Sequence, residues 1–194
     1  MIYLVRHGET EFNVARRAQG STDSPLTELG MRQAYAMAAL LVERTSRAGP
    51  APWRLVSSPL GRAVATAEII GTQLGLSVCL DDRLREHSMG DFDGLHVDEF
   101  VPLLRTDVPY HDRPFYAPGA ESYESLASRI TGFLAEIQVD DRLIIVGHGS
   151  AGRIVRGIYG GLPREEMLTL DVPQTAVYRL QNGQIDRFDC APVE

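Results

Sequence analysis

The stretch LVRHGETEFN, residues 4–13, sets a histidine between an arginine and a glycine directly behind a short apolar run. Ile2 to Val5 has the composition of a buried strand, and the glycine that follows signals a tight bend. The reading places Arg6 and His7 at the carboxyl end of a strand, only seven residues into the chain. A solvated loop holding charged side chains is the plain alternative, and the rest of the chain decides between them.

Outward from that stretch, apolar runs alternate with helical patterns. Thr27 predicts the N-cap of a helix to about Arg47, closed by Gly49-Pro50. WRLVS (53–57) reads as a strand, and Ser58 with Pro59 predicts the cap and first position of a helix to about Leu74. SVCL (77–80) and LIIVG (143–147) read as further strands, the second followed by a glycine-rich turn, HGSAG, and a helix, RIVRGIYG. AVYRL and QIDRF, split by Asn182-Gly183, predict a hairpin. This alternation predicts an α/β fold with a mostly parallel sheet and an antiparallel edge. The length, 194 residues, suits a single domain spanning 1–194. Residues 94–118 carry four of the eleven prolines and fit the alternation least, which predicts an insertion covering an active site.

Composition narrows the function. A net charge of −7 speaks against a nucleic-acid partner, yet a pocket on an acidic protein can still be locally positive. The sequence holds no run of eighteen apolar residues, so no membrane partner is expected, and Met1 leads into IYLV without a secretory signal. Cys79 and Cys190 form neither a metal spacing nor a disulfide framework, which points to a reducing cytoplasm. All 19 basic residues are arginine. Without lysine there is no Walker A loop, no Schiff base and no Ser-x-x-Lys acyl enzyme. The oligomeric state stays open, a dimer included.

Open α/β sheets bind ligands beyond the carboxyl ends of their parallel strands. This sequence puts Arg6 and His7 there after the first strand, and SSPLGR, with helix N–H groups and Arg62, after the second. His148 and Gly149 follow LIIVG. Singly, each has a bland reading as a structural histidine, a solvated arginine or a bend glycine. Together they predict an anion site with phosphate as guest. At an effective dielectric near 20, one ion pair at about 4 Å gains roughly 4 kcal/mol before desolvation.

Six ordered blocks carry a resemblance: LVRHGETEFN, QGSTDSPLTELGMRQA, SSPLGRAVATA, REHSMGDFDG, PGAESYESLASR and VGHGSAGRIVR. They resemble the histidine phosphatase superfamily, in its phosphoglycerate-mutase-like branch, and VPQTAVYRL resembles that family's last strand. The resemblance implies a three-layer α/β/α sandwich and a small phosphorylated substrate handled without metal or cofactor. By it, His7 matches the nucleophile that becomes phosphohistidine, and Glu86 the acid that protonates the leaving oxygen. Arg6, Arg62 and His148 match the residues that hold the phosphoryl oxygens. Asn13 matches a further phosphate contact, and Gln19, Gly20 and Gly149 fall among substrate contacts. Glu9 and Thr10 have a supporting role, and Ser122 of PGAES reads most plainly as a helix N-cap beside Glu121.

Two departures stand out. Ser150 replaces a usual glycine and Gly152 a common bulky aliphatic, which loosens the turn or leaves room for a substrate group. The rival within the resembled family is a cofactor-dependent phosphoglycerate mutase, a type that is typically longer, with a larger middle insertion carrying basic residues. Here the corresponding segment offers only Arg105 and Arg113 against Asp98, Glu99, Asp107 and Asp112, so water is favoured as acceptor. A serine hydrolase at Ser150 fails because histidine occupies the first glycine of G-x-S-x-G. A phosphoprotein-binding module gains no support, since every position the chemistry needs is present. Tyr110, His111, Arg113 and Tyr116 are candidates for the pocket rim or for packing.

Overall fold

The computed structural model describes residues 1–193. Strand β1 (Ile2–Arg6) is followed by a one-turn helix α1 (Glu11–Val14), the long helix α2 (Glu28–Arg47) and β2 (Arg54–Ser57). Helix α3 (Gly61–Leu74) and the short β3 (Val78–Leu80) come next. Between Gly94 and Pro118 lie one-turn α4 (Val97–Phe100) and 3-10 turns at Val101–Leu103 and Tyr110–Tyr116. Then follow α5 (Tyr123–Ala135), β4 (Leu143–Gly147), α6 (Gly149–Gly160) and α7 (Arg164–Thr169), and the hairpin β5 (Ala176–Gln181) and β6 (Gln184–Asp189).

The strands form one sheet in the order β3-β2-β4-β1-β5-β6, parallel from β3 to β1 and antiparallel from β1 to β6. Side chains alternate between its faces. Tyr3, Val5, Leu55, Ile144 and Val146 meet Met37 and Leu41 of α2 and Ala67 and Ile70 of α3. Ile2, Leu4, Val56 and Ile145 meet Leu126, Ile130 and Phe133 of α5 and Ile154 and Val155 of α6. Helices on both faces of a mostly parallel sheet with an antiparallel edge make the expected three-layer sandwich. Burial on both faces explains why LIIVG reads as an unbroken apolar run. Among the described residues, no helix is long and apolar enough to cross a membrane.

Local signals hold where the partner is near in sequence. Thr27 caps α2, its hydroxyl accepting from the Gly30 N–H at 2.9 Å, and Ser122 caps α5 by accepting from Ser125. Asn182 and Gly183, both at positive φ, turn the hairpin. Two expectations need correction. Helix α3 begins at Gly61 rather than Pro59, and its N-cap position, Leu60, offers no side-chain bond. The cap comes instead from Asp23, whose carboxylate accepts the N–H groups of Gly61 and Arg62. Ser58 is spent on the Leu60 N–H and on His148. HGSAG is likewise no turn: α6 starts at Gly149, with extended His148 as its N-cap residue.

Close backbone approach fixes the first loop. A Cβ on Gly8 would run into the Gly30 carbonyl oxygen, and one on Gly30 into that of Glu9. The segment after β1 therefore lies directly on the start of α2, secured by Glu9 N–H to Gln33 at 2.8 Å and Thr27 hydroxyl to the Glu9 carboxylate at 2.8 Å. In α6 two glycines differ sharply. A Cβ on Gly157 would strike the Met167 side chain, whereas one on Gly152 meets only Leu4 Cδ2, at 4.0 Å. Gly157→Ala is thus expected to cost about 1–3 kcal/mol through overpacking. Gly152→Ala is expected to add up to ~1 kcal/mol through helix propensity. Urea denaturation of the two variants checks this, and an equal loss in both would contradict the space beside Leu4.

Candidate active site

Hydrogen bonds that prolong the ladder beyond the strands bring the chemistry together. The His7 N–H donates to Gly147 O and the Ser58 N–H to Val146 O, each at 3.0 Å. His7 and His148 thereby leave adjacent strands side by side, both buried, with ring centroids 5.2 Å apart. The His7 Nδ1–H donates to the Gly8 carbonyl at 2.8 Å, which leaves the lone pair on Nε2. Burial pushes the His7 pKa well below the usual imidazole value, and the Arg6 and Arg62 charges push it further, against the Gly8 carbonyl. The ring is a neutral imidazole of one tautomer. His148 is held low by burial, then by His7, Arg62 and Arg6.

The two arginines are braced by backbone oxygens. Arg6 Nη1 donates to Val172 O at 2.7 Å, while Arg62 donates to Thr22 O at 2.6 Å and Gly20 O at 2.9 Å. Arg62 also meets the Asp23 carboxylate at 3.2 Å. After these bonds, Arg6 Nε, Arg62 Nε, His148 Nδ1 and Gln19 Oε1 remain buried without a protein partner. Buried polar atoms are normally paired; Arg44 Nε and Trp53 Nε1 also lack partners, away from the cleft, but Arg6, Arg62 and Gln19 line one cleft with His7, and that grouping points to a site.

The helix ends do not contribute as expected. The α3 amino terminus is filled by Asp23, and that of α6 by Glu86, whose carboxylate accepts from Ser150 and Ala151 N–H at 3.0 Å each. Glu86 also accepts the His87 N–H at 2.9 Å. Positive potential at the site therefore comes from guanidinium groups, not from free helix N–H groups.

Arg6, His7, Asn13, Gln19, Gly20, Arg62 and Glu86 line one cleft of about 190 Å³. Asn13 spends its carbonyl on Thr10 and Gln174, so its amide nitrogen remains as donor. His148 is not among the cleft-lining residues and borders a small cavity with Arg6 and Gly152. Gly149 lies under Glu86 and Arg6. The sequence reading did not place Arg17, His87 and Met89 on the cleft, and nothing marks them in the sequence beyond nearness to named residues; Ser150, read there as a departure from the usual glycine, lines the cleft as well. Of the 94–118 segment only Pro114 lines the cleft, and Tyr110, His111, Arg113 and Tyr116 do not. Arg113 donates to Val108 O and Arg105 pairs with Asp107, so both cations are engaged elsewhere.

This fold and this site belong to one class: the chain is a member of the histidine phosphatase superfamily, branch 1, whose sequence profile matches residues 2–187. Over 194 residues it is 35% identical to a Yersinia pestis (strain Pestoides F) protein named probable phosphoglycerate mutase GpmB, covering 97% of this chain and 84% of the relative. Mycobacterial glucosyl-3-phosphoglycerate phosphatase, solved with VO3, matches with a TM-score of 0.79 at 28% identity, over 98% of this chain and 99% of that one. Bacillus stearothermophilus YhfR matches with a TM-score of 0.78 at 26% identity, over 95% and 93% of the two chains.

The buried histidines set a pH dependence. Burial also lowers the His87 pKa, against the pull of Glu86. In the unfolded chain these rings take protons near pH 6.5; in the folded chain they do so only at lower pH. Below about pH 6.5 the unfolded state binds more protons, so stability falls on acidification and is unaffected above. Each ring adds a slope of up to ~1.4 kcal/mol per pH unit. The urea midpoint should be flat above neutrality and fall from about pH 6.5 to 5.5, with a shallower fall in His148→Gln. A midpoint indifferent to pH across that window would contradict buried neutral rings.

Proposed function

We propose that the protein is a metal-independent phosphomonoester hydrolase acting through phosphohistidine on a small phosphorylated metabolite. The observation that carries this is the 2.8 Å bond from His7 Nδ1–H to the Gly8 carbonyl in a ring buried between Arg6 and Arg62. It supports a neutral nucleophile with its lone pair on Nε2, which is what attack on phosphorus requires. In the first step Nε2 bonds to phosphorus, the ester P–O bond breaks, and the leaving oxygen takes a proton from the Glu86 carboxyl. In the second, water attacks phosphorus, its proton passes to the Glu86 carboxylate, and the N–P pair returns to His7. Arg6 and Arg62 balance the phosphoryl charge, which is where a loose transition state gains most, and the neutral His148 ring is assigned a hydrogen bond from its unpartnered Nδ1 to a phosphoryl oxygen. To donate, Glu86 must carry a proton; Oε1 accepts two N–H groups and Oε2 one, which leaves a lone-pair site on Oε2 for it. No nucleic acid, membrane or second subunit enters the scheme. Among the described residues no three His, Cys, Asp or Glu side chains are grouped to hold a metal.

The competing reading is a phosphoglycerate mutase, favoured by the names of the Yersinia relatives. Water is preferred as acceptor because Arg105 and Arg113, the cations of the middle segment, are tied away from the cleft. The test supplies 3-phosphoglycerate with a trace of 2,3-bisphosphoglycerate in chelator and follows inorganic phosphate and 2-phosphoglycerate together. Dominant phosphate release, reduced about a thousandfold or more in His7→Ala, is the expected result. Dominant isomer formation would make the protein a mutase. Activity lost in chelator and restored by one metal ion would remove the metal-independent scheme.

A further inference from the structure

Glu86 sits in a stretch without regular structure, between the 3-10 turn Asp82–Leu84 and that at Gly90–Phe92. No strand ladder positions it. A general acid misplaced by about 1 Å loses most of its effect, so something else must fix this loop. Arg129, on α5, does so with every donor it has. A guanidinium group carries five N–H bonds. Nη1 donates to Arg83 O at 2.6 Å and Arg85 O at 2.8 Å, and Nη2 to Glu86 O at 3.3 Å. Nε and the second Nη2 hydrogen go to the two Glu121 carboxylate oxygens, both at 2.8 Å.

Glu121 closes the clamp from the other side through its main chain. Its N–H donates to Ser88 O at 3.0 Å, and its carbonyl accepts from His87 Nε2–H at 3.0 Å. Residues 83–86 are thus gripped by the Arg129 side chain and residues 87–88 by the Glu121 backbone, and the Glu86 carboxylate reaches from this clamped stretch to the Ser150 and Ala151 N–H groups. Neither Arg129 nor Glu121 lines the cleft. We propose that Arg129, locked by Glu121, is the positioning residue that holds Glu86 where it can reach the leaving oxygen. The inference rests on the assignment of Glu86 as the acid.

The test uses two substrates on the full-length protein. Glycerol 2-phosphate has a leaving oxygen that needs a proton, whereas p-nitrophenyl phosphate has one that departs largely without it. Glu86→Gln should lose about 100-fold or more in kcat on the first and far less on the second. Arg129→Lys, which keeps the charge but only part of the fork, should show the same split on a smaller scale. Roughly tenfold or more should be lost on glycerol 2-phosphate, with p-nitrophenyl phosphate within about threefold and neither KM changed. Glu121→Gln should follow it. The ratio of the two rates, taken on one sample, is independent of any misfolded fraction. Equal losses on both substrates, or none, in Arg129→Lys would overturn the proposal while a split in Glu86→Gln left the acid in place. A Glu86→Gln variant without the split would remove the acid assignment and this inference with it.

Discussion

Two guanidinium groups buried beside two imidazoles form the constraint on which the rest of the structure depends. Like charges at low dielectric repel, and burying each is costly unless it is hydrogen-bonded. The chain meets this without lining the cleft with several carboxylates. Arg6 is held by the Val172 carbonyl and Arg62 by the carbonyls of Gly20 and Thr22, while Asp23 approaches Arg62 from the loop that carries those carbonyls. Neutral oxygens satisfy donors without cancelling charge. The imidazoles respond in the opposite sense, losing their protons, so the site keeps two fixed cations and an unprotonated nucleophile.

The loops follow from that need. Residues 170–172 present carbonyls to Arg153 and Arg6, and Asp171 anchors them by accepting from Tyr178 OH at 2.8 Å and Arg156 at 3.1 Å. Residues 19–23 are secured through Asp93, which accepts from Ser21 on one side and from Ser88 and Met89 on the other. Asp93 therefore ties the carbonyls behind Arg62 to the loop just beyond Glu86. Gly20 permits this contact, since its φ is positive and any Cβ would fall on the Asp93 carboxylate. Asp23 and Glu86 each end a helix from far away in sequence, so both helix starts depend on loops that themselves face the cleft. Cap, cleft and loop form one hydrogen-bonded unit, which is a rigid way to hold phosphate-binding groups.

What the sequence made legible divides along the same line. Strands, long helices and their order were readable because apolar period and near caps such as Thr27 are local signals. Of the groups read at strand ends, Arg6, His7 and Arg62 meet in one cleft because those ends share one edge of the sheet, whereas His148 borders a neighbouring cavity and Glu86 was legible only through the ordered blocks that resemble one family. The start of α3 was not legible, because Ser58 has the chemistry of a cap yet its hydroxyl goes to His148 and Leu60. Asp23, 38 residues away from Gly61, carries no local mark of the role. Nor could spacing show that Pro114, rather than the aromatic and charged side chains around it, reaches the cleft. Irregular segments lack a period, so their register is set only by the contacts they find.

The absence of lysine gains meaning at this point. Besides Arg6 and Arg62, the carbonyls of irregular segments are taken by Arg129 at 83–86, by Arg17 at Gly94 and by Arg142 at Gly49. An ammonium group is a point charge with three donors, whereas guanidinium is a planar fork whose edges can serve different partners. Loops without ladder partners must place their carbonyls somewhere, and the fork offers several directions at once. At the cleft this geometry matters most. Arg6 and Arg62 are fixed through their Nη atoms, yet each keeps an Nε–H that no protein atom uses. One group can then be immobilised by the backbone and still hold a donor in reserve. A lysine anchored to those carbonyls would have its charge drawn to the anchor, and freed from them it would not be held in place.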